Sequence, residues 1–63
     1  MNPVPQPGDV RENGDKQVRI DRLTANRVRY IILLTRATEE LLTRVFVMTY
    51  TLIERNGKAV PRD

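Results

Sequence analysis

The chain contains no cysteine, histidine, serine or tryptophan. These absences exclude disulfide bonds, thiolate metal sites and the common pairs of nucleophile and base in hydrolases. Eight carboxylates remain, but a general acid–base pair needs a pocket that excludes water. A chain of 63 residues has little room for such a pocket. We therefore expect a non-enzymatic protein with no catalytic residue, cofactor or metal site.

Long apolar runs and glycine-rich loops are also missing. The longest apolar stretches, residues 31–34 and 45–48, are far shorter than the ~20 residues that cross a bilayer. The first residues lack the basic segment and apolar run of a signal peptide. The three glycines stand apart, so no phosphate-binding loop pattern occurs. We expect a cytoplasmic protein with no membrane partner.

The positions of the prolines suggest a core with two extended ends. Residues 1–7 hold three of the four prolines and are predicted to be a flexible arm. Residues 8–55 are predicted to form a single β domain, and residues 56–63 a flexible tail. A core this small rarely supplies more than about 3–5 kcal/mol of stability. Since disulfides and thiolate metal sites are excluded, self-association is the expected supplement, and a homodimer is one expected assembly.

The clearest local pattern is that of a β-hairpin. Apolar and charged residues alternate over residues 17–23 and again over residues 27–33, on either side of a three-residue connector. The register that satisfies both strands sets Ile20 opposite Tyr30 on the buried face, with Val18 opposite Ile32 one step further along.

The same register makes predictions for the other face and for the loop. It pairs Leu23 with Arg27 and sets Asp21 opposite Arg29, an opposite-charge pair of the favourable kind. Asn26 then takes the left-handed position of a three-residue hairpin loop.

Residues 38–54 fit two patterns. As a helix, they carry an apolar stripe with Thr38 as N-cap. As a strand, alternate residues from Phe46 onward share an apolar face, and seven of the 17 residues are β-branched, which favours strand. We predict a strand over residues 37–41, a turn over residues 42–45 and a strand over residues 46–54.

Together these patterns predict an all-β fold, either a small barrel or a strongly bent antiparallel sheet of four to five strands. The alternative is an α+β fold with a helix at residues 38–54. The expected core consists of Val10, Val18, Ile20, Val28, Tyr30, Ile32, Leu41, Phe46, Met48, Tyr50 and Leu52.

Five segments carry a resemblance to a known family: Pro7-Gly-Asp-Val10, Asn13-Gly-Asp15, Val18-Arg-Ile-Asp-Arg-Leu23, Arg44-Val-Phe46 and Tyr50-Thr-Leu-Ile-Glu54. Over residues 7–54 the chain resembles the small Src-homology-3-like (SH3-like) β-barrel proteins of unknown function that bacteriophages, prophages and plasmids encode. The resemblance implies an SH3-like barrel and a mobile-element setting, and it implies no catalytic or binding residues. The family usually has a glycine in the turn where this chain has Thr35-Arg-Ala37.

Arginine dominates the positive charge. It supplies nine of the eleven cationic side chains, and the net charge is +3. The hairpin register places several arginines and two apolar residues on one solvent-facing surface. We call this candidate interaction surface the arginine face; it comprises Arg19, Arg22, Arg27, Arg29, Ile31, Leu33 and Arg36.

Three functions fit these observations. A mixture of arginine with isoleucine and leucine is typical of protein–protein contacts, which predicts an accessory module that binds a protein partner. The alternative is a nucleic-acid-binding protein, because arginines on a sheet can contact phosphates. All three aromatic residues fall on predicted core faces, however, which leaves no surface on which bases could stack. The second alternative is a dimeric helical regulator or antitoxin, which requires the helix at residues 38–54.

Overall fold

A computed structural model of the chain describes residues 4–60. The predicted all-β fold is confirmed: one antiparallel sheet with a single short helix makes up most of the described chain. The sheet has six strands rather than the expected four to five, and the order β4-β3-β2-β1-β5-β6 leaves it open at β4 and β6. The elements are β1 (Val10–Asn13), β2 (Lys16–Leu23), β3 (Arg27–Ile32), β4 (Thr38–Leu42), α1 (Thr43–Thr49), β5 (Thr51–Arg55) and β6 (Lys58–Ala59).

The predicted hairpin forms between β2 and β3. Ile20 lies opposite Tyr30 and Val18 opposite Ile32, as the alternation of apolar residues predicted. All four side chains lie on the inner face of the sheet, where the first three are almost completely buried and Ile32 is partly buried.

The register beyond Ile20 differs from the prediction. A bulge shifts the pairing between Ile20 and Arg22, so that Arg22 lies opposite Arg29. The predicted pairs of Asp21 with Arg29 and of Leu23 with Arg27 are therefore wrong. Without the bulge, strict alternation from Ile20 would turn Arg22 towards the core and Leu23 towards solvent.

The loop that closes this hairpin also differs. Leu23 pairs with Val28, and the Thr24 amide donates a hydrogen bond to the Arg27 carbonyl oxygen at 3.0 Å. Asn26 does not have the predicted left-handed backbone, since among the described non-glycine residues only Arg36 and Asn56 have positive φ. The loop between the two strands still covers residues 24–26, but the register that closes it differs from the predicted one.

Residues 38–54 form a strand, a helix and a second strand, so the alternative of one long helix is wrong. The strand over β4 was predicted within one residue. Most of the predicted turn at 42–45 and the first half of the predicted strand at 46–54 are replaced by α1, whereas β5 confirms the second half of that strand. The helix turns Phe46 into the core and leaves Met48 84% exposed, whereas a strand would have buried both on one face. Met48 was therefore wrongly assigned to the core.

The helix forms although several of its residues are β-branched, because tertiary contacts outweigh that weak preference. Phe46 is completely buried. Its ring centroid lies 5.2 Å from that of Tyr30 and 5.0 Å from that of Tyr50, which are distances typical of favourable aromatic pairs. At its first turn, the Thr43 amide donates to the Asn26 carbonyl oxygen at 2.8 Å.

Arg11 is an unexpected member of the core. Its partner across the sheet is Val18, so its side chain lies on the inner face, and the residue is 0% exposed. The guanidinium carbon lies 5.5 Å from the centroid of the Phe46 ring. One guanidinium nitrogen donates to the Tyr50 carbonyl oxygen at 3.1 Å. Burial lowers the pKa of Arg11, and the nearby Asp9 carboxylate opposes that shift.

The segment before β1 is tied to the sheet by Asp9, whose side chain is 2% exposed. Arg55 of β5 donates two hydrogen bonds to the two Asp9 carboxylate oxygens, at 3.0 and 2.7 Å. The Gln6 amide donates to the same carboxylate at 2.9 Å, and Arg55 also donates to the Val4 carbonyl oxygen at 2.7 Å. We call this group of contacts the Asp9 clamp.

The predicted ends of the chain are described only in part. Of the predicted flexible arm at residues 1–7, the first three lie outside the described residues, and Pro5 is buried. Within the predicted tail at residues 56–63, β6 pairs with β5 and the last three residues lie outside the described part. Residues 4–60 include no helix of the length and apolarity that a membrane crossing needs.

The phenolic groups of the core meet charged residues at one end of the sheet. The Tyr30 hydroxyl donates to a Glu39 carboxylate oxygen at 3.0 Å, and the Lys16 ammonium lies 3.5 Å from that oxygen. Burial raises the pKa of Tyr30, and hydrogen bonding to Tyr50 and to Glu39 raises it further. Hydrogen bonding to Tyr50 and the nearby Glu39 carboxylate raise the pKa of Lys16.

Replacing Phe46 by alanine is expected to cost about 3–5 kcal/mol, because it removes a fully buried ring and leaves a cavity. That cost equals the whole stability expected for so small a core, so F46A should lack the circular dichroism and cooperative thermal unfolding of the folded chain. The matched control is M48A on the exposed side of the same helix, which should unfold at nearly the wild-type temperature. A cooperative F46A transition near that of M48A would contradict the helix placement.

Alkaline pH is expected to destabilise the fold. The folded state holds the Tyr30 and Lys16 protons more tightly than the unfolded chain does. Above about pH 10, where free tyrosine and lysine ionise, deprotonation therefore favours unfolding. Urea denaturation between about pH 8 and about pH 11 should show that the stability of the wild type falls as the pH rises. The fall should be smaller in Y30F. An equal fall in both proteins would exclude Tyr30 as a main cause.

Candidate interaction face

The arginine face lies on the outer side of the sheet, on the side of β2 and β3 opposite the aromatic core. Its side chains come from β2, from β3 and from the turn between β3 and β4. The five arginines are exposed, whereas Ile31 and Leu33 are partly buried. Arg19 lies directly opposite Ile31 in the pairing of β2 with β3. The fold thus presents cationic and apolar side chains on one surface.

Two arginines of this surface oppose each other. The bulge at Asp21 pairs Arg22 with Arg29 across β2 and β3. Like charges placed directly opposite one another destabilise a sheet. In the free protein this pair is therefore unfavourable, and an anionic partner would relieve the repulsion.

The neighbouring strand β4 neutralises only one part of the surface. A guanidinium nitrogen of Arg27 lies 3.6 Å from a Glu40 carboxylate oxygen, and both side chains are more than a third exposed. Exposed pairs of this kind contribute at most about 1 kcal/mol. Glu40 also lies opposite Arg29 in the sheet. Within residues 4–60, no ion pair or side-chain hydrogen bond occupies Arg19, Arg22 or Arg36.

Four residues of the arginine face surround one open depression. It has a volume of about 480 Å³ and is lined by Arg19, Ile31, Leu33 and Arg36. We call it the Arg19–Arg36 depression. A second depression of about 310 Å³ adjoins it through Leu33 and is also lined by Leu34, which is 92% exposed. The first depression thus combines two arginines with two apolar residues, and the second combines two leucines with Asp15 and Gln17.

Arg36 reaches this position from a strained backbone. Its φ is +62°, in the left-handed region that costs non-glycine residues about 1–2 kcal/mol. The Arg36 amide donates to the Ile32 carbonyl oxygen at 2.6 Å, and the Ile32 amide donates to the Ala37 carbonyl oxygen at 2.8 Å. The turn therefore holds the backbone of Arg36 firmly, although a glycine would satisfy the same geometry without strain.

The structure brings together part of the predicted surface. Arg19, Ile31, Leu33 and Arg36 meet at the depression, and Arg22 adjoins Arg29. Arg27 lies at the far end of β3, beside the loop between β2 and β3, where it contacts Glu40.

Sequence reasoning missed three features around this surface. It placed Arg22 away from Arg29, because alternation alone does not reveal a bulge. Leu34 was not predicted as part of this surface, although it ends a run of four apolar residues that continues two residues beyond β3. The lack of glycine in the turn at residues 35–37 did not by itself predict the left-handed backbone of Arg36.

Residues 4–60 contain no group of three acidic side chains that could hold a metal ion. No protein-family model matches the chain, and neither curated proteins nor solved structures include a significant match to it. The arrangement of the site is therefore the basis for any functional conclusion.

Replacing Arg36 by glycine is expected to stabilise the free protein by about 1 kcal/mol, because glycine adopts the left-handed backbone without strain. N56G is the matched control, since asparagine tolerates that conformation better than arginine does and should gain less. Urea denaturation of both variants measures the difference. If R36G were less stable than the wild type, the Arg36 side chain would have a structural role in the free chain.

Proposed function

We propose that this protein is a non-enzymatic accessory module that binds a protein partner through the arginine face. The observation that carries the proposal is the Arg19–Arg36 depression, where arginines stand beside half-buried Ile31 and Leu33. Arginine is enriched and lysine depleted in protein–protein interfaces, and apolar side chains form the core of such interfaces. Leu34 extends the same surface with an almost fully exposed apolar side chain.

The burial of the aromatic residues supports a protein partner over a nucleic acid. Proteins that bind single strands usually stack bases on exposed aromatic rings. Here Tyr30, Phe46 and Tyr50 are all at most 3% exposed. Ile31 and Leu33 in the depression would make few favourable contacts with a phosphate chain. Apolar side chains of a protein partner would cover them.

Nucleic-acid binding is the second candidate, and one observation favours it. Arg22 and Arg29 oppose each other with no carboxylate ion-paired to either among the described residues. A phosphate backbone passing over the two guanidinium groups would neutralise both of them. Binding of this kind would depend on charge and steeply on salt, but little on base sequence.

The remaining hypothesis, a dimeric helical regulator or antitoxin, required a helix over residues 38–54. Only Thr43–Thr49 is helical there, so that hypothesis loses its structural basis.

A homodimer of the β domain stays part of the proposal, since self-association would supplement so small a core. The resemblance to small SH3-like proteins of bacteriophages, prophages and plasmids supports a mobile-element origin for the same module, which we place in the cytoplasm.

Charge reversal on the arginine face tests the proposal. Immobilised wild-type protein should retain a distinct bacterial protein from a nuclease-treated lysate, and R19E/R36E should lose it because both cations line the depression. K58E, a reversal on the exposed strand β6 at the opposite edge of the sheet, should keep it. Wild-type circular dichroism spectra for all variants establish that the loss is local.

The competing function gives a different result in the same experiment. If the module instead binds nucleic acid, untreated lysate should yield DNA or RNA that elutes steeply with salt, and R22E/R29E should lose it. Retention of nucleic acid alone, with no protein dependent on Arg19 and Arg36, would overturn the proposed function.

A further inference from the structure

We propose that the Arg19–Arg36 depression binds an extended acidic peptide segment, in which carboxylate side chains flank an apolar side chain, and that Arg36 determines this specificity. The inference rests on the proposed function and names the chemistry of the partner.

The lining residues match that chemistry. Arg19 projects from β2 and Arg36 from the turn after β3, with Ile31 and Leu33 completing the lining of the depression. A guanidinium group can bind a carboxylate through two parallel hydrogen bonds, which makes arginine well suited to carboxylate recognition. The half-buried Ile31 and Leu33 provide an apolar surface between such contacts. In a peptide with an apolar side chain between acidic ones, the carboxylates would bind the two arginines. The apolar side chain would pack on Ile31 and Leu33.

Both arginines are available to a partner. The carboxylates of Glu39, Glu40 and Asp9 form ion pairs with Lys16, Arg27 and Arg55 respectively. None of these pairs includes Arg19 or Arg36, and both residues are exposed. A bound carboxylate would therefore not have to displace an internal partner.

The backbone of Arg36 singles this residue out. The other non-glycine residue with positive φ in the described chain is Asn56, a residue type that tolerates the left-handed region. Arginine has no such tolerance, and its side chain makes no hydrogen bond or ion pair within residues 4–60. No hydrogen bond or ion pair within residues 4–60 therefore accounts for an arginine at this position. The same side chain lines the Arg19–Arg36 depression, where a ligand would gain from it.

Neighbouring features favour a peptide over a phosphate chain. The adjoining depression is lined by Leu33 and Leu34 together with Asp15 and Gln17. A phosphate chain running along this surface would meet two leucines, with which it makes no favourable contact. An extended peptide could place a second apolar side chain on Leu34 and hydrogen-bond the Gln17 amide.

The test uses a random peptide library displayed on phage and selected on the immobilised full chain. Enriched sequences should combine aspartate or glutamate with a neighbouring apolar residue. Synthetic copies with both termini capped should shift the backbone amide resonances of residues 31–36 in an NMR titration. Capping removes the terminal carboxylate, so retained binding shows that acidic side chains are recognised.

The variants then separate specificity from stability. R36G should bind the selected peptide about tenfold more weakly, the loss expected for one charge-assisted contact, while melting at a temperature equal to or above that of the wild type. R36K should bind with intermediate affinity, because it keeps the charge and loses the two-pronged geometry. N56G, the control for a left-handed residue remote from the depression, should bind like the wild type.

The contrary results are distinct. Selected peptides without acidic residues, or an R36G affinity equal to that of the wild type, would overturn this inference and leave the proposed function standing. Failure to enrich any peptide, together with retention of single-stranded DNA that is lost in R22E/R29E, would overturn both.

Discussion

The buried carboxylate of Asp9 joins the segment before β1 to Arg55 of β5, 46 positions away along the chain. Its two oxygens accept hydrogen bonds from Arg55 of β5 and from the Gln6 amide. The backbone around it pairs with β2, because the Ile20 amide donates to the Asp9 carbonyl oxygen and the Gly8 amide donates to the Ile20 carbonyl oxygen. A buried carboxylate is tolerated only when its hydrogen bonds are satisfied. The Asp9 clamp meets that condition and holds the chain ahead of β1 against β5, while the backbone of Gly8 and Asp9 bonds to β2.

The same contacts bear on the arginine face. Ile20 is the residue that the Asp9 backbone holds, and the bulge begins directly after it. The bulge turns Leu23 inward and Arg22 outward, where Arg22 meets Arg29. We therefore expect the outward position of Arg22, and with it part of the arginine face, to depend on the ion pair between Asp9 and Arg55. On the inner side, Arg11 packs on the Phe46 ring and binds the Tyr50 carbonyl oxygen, so the core also combines charge with aromatic packing.

The parts of this fold that follow from a two-residue period could be predicted from the sequence. The pairing of Ile20 with Tyr30 is one example, and the placement of Arg19, Arg27 and Arg29 on the outer face is another. The bulge at Asp21 and the burial of Arg11 could not, because both depend on contacts between residues distant in sequence: the Ile20 amide binds the Asp9 carbonyl oxygen beside the bulge, and Arg11 contacts Phe46 and Tyr50. The helix was missed for a similar reason: local β-branched residues favour strand, and only the aromatic contacts of Phe46 favour helix. At the candidate site, the residue types were predictable, but the meeting of Arg36 with Arg19 depended on the backbone of a turn.

The most direct test of this account is amide hydrogen exchange in the D9N variant, followed residue by residue by NMR. The account predicts that the Ile20 amide loses protection by at least about tenfold, as expected when a local structural unit is released. The amides that pair β3 with β4 should lose less, because they are remote from the Asp9 clamp. Wild-type protection at Ile20 in D9N would contradict the account, since the sheet and its arginine face would then form without the buried ion pair.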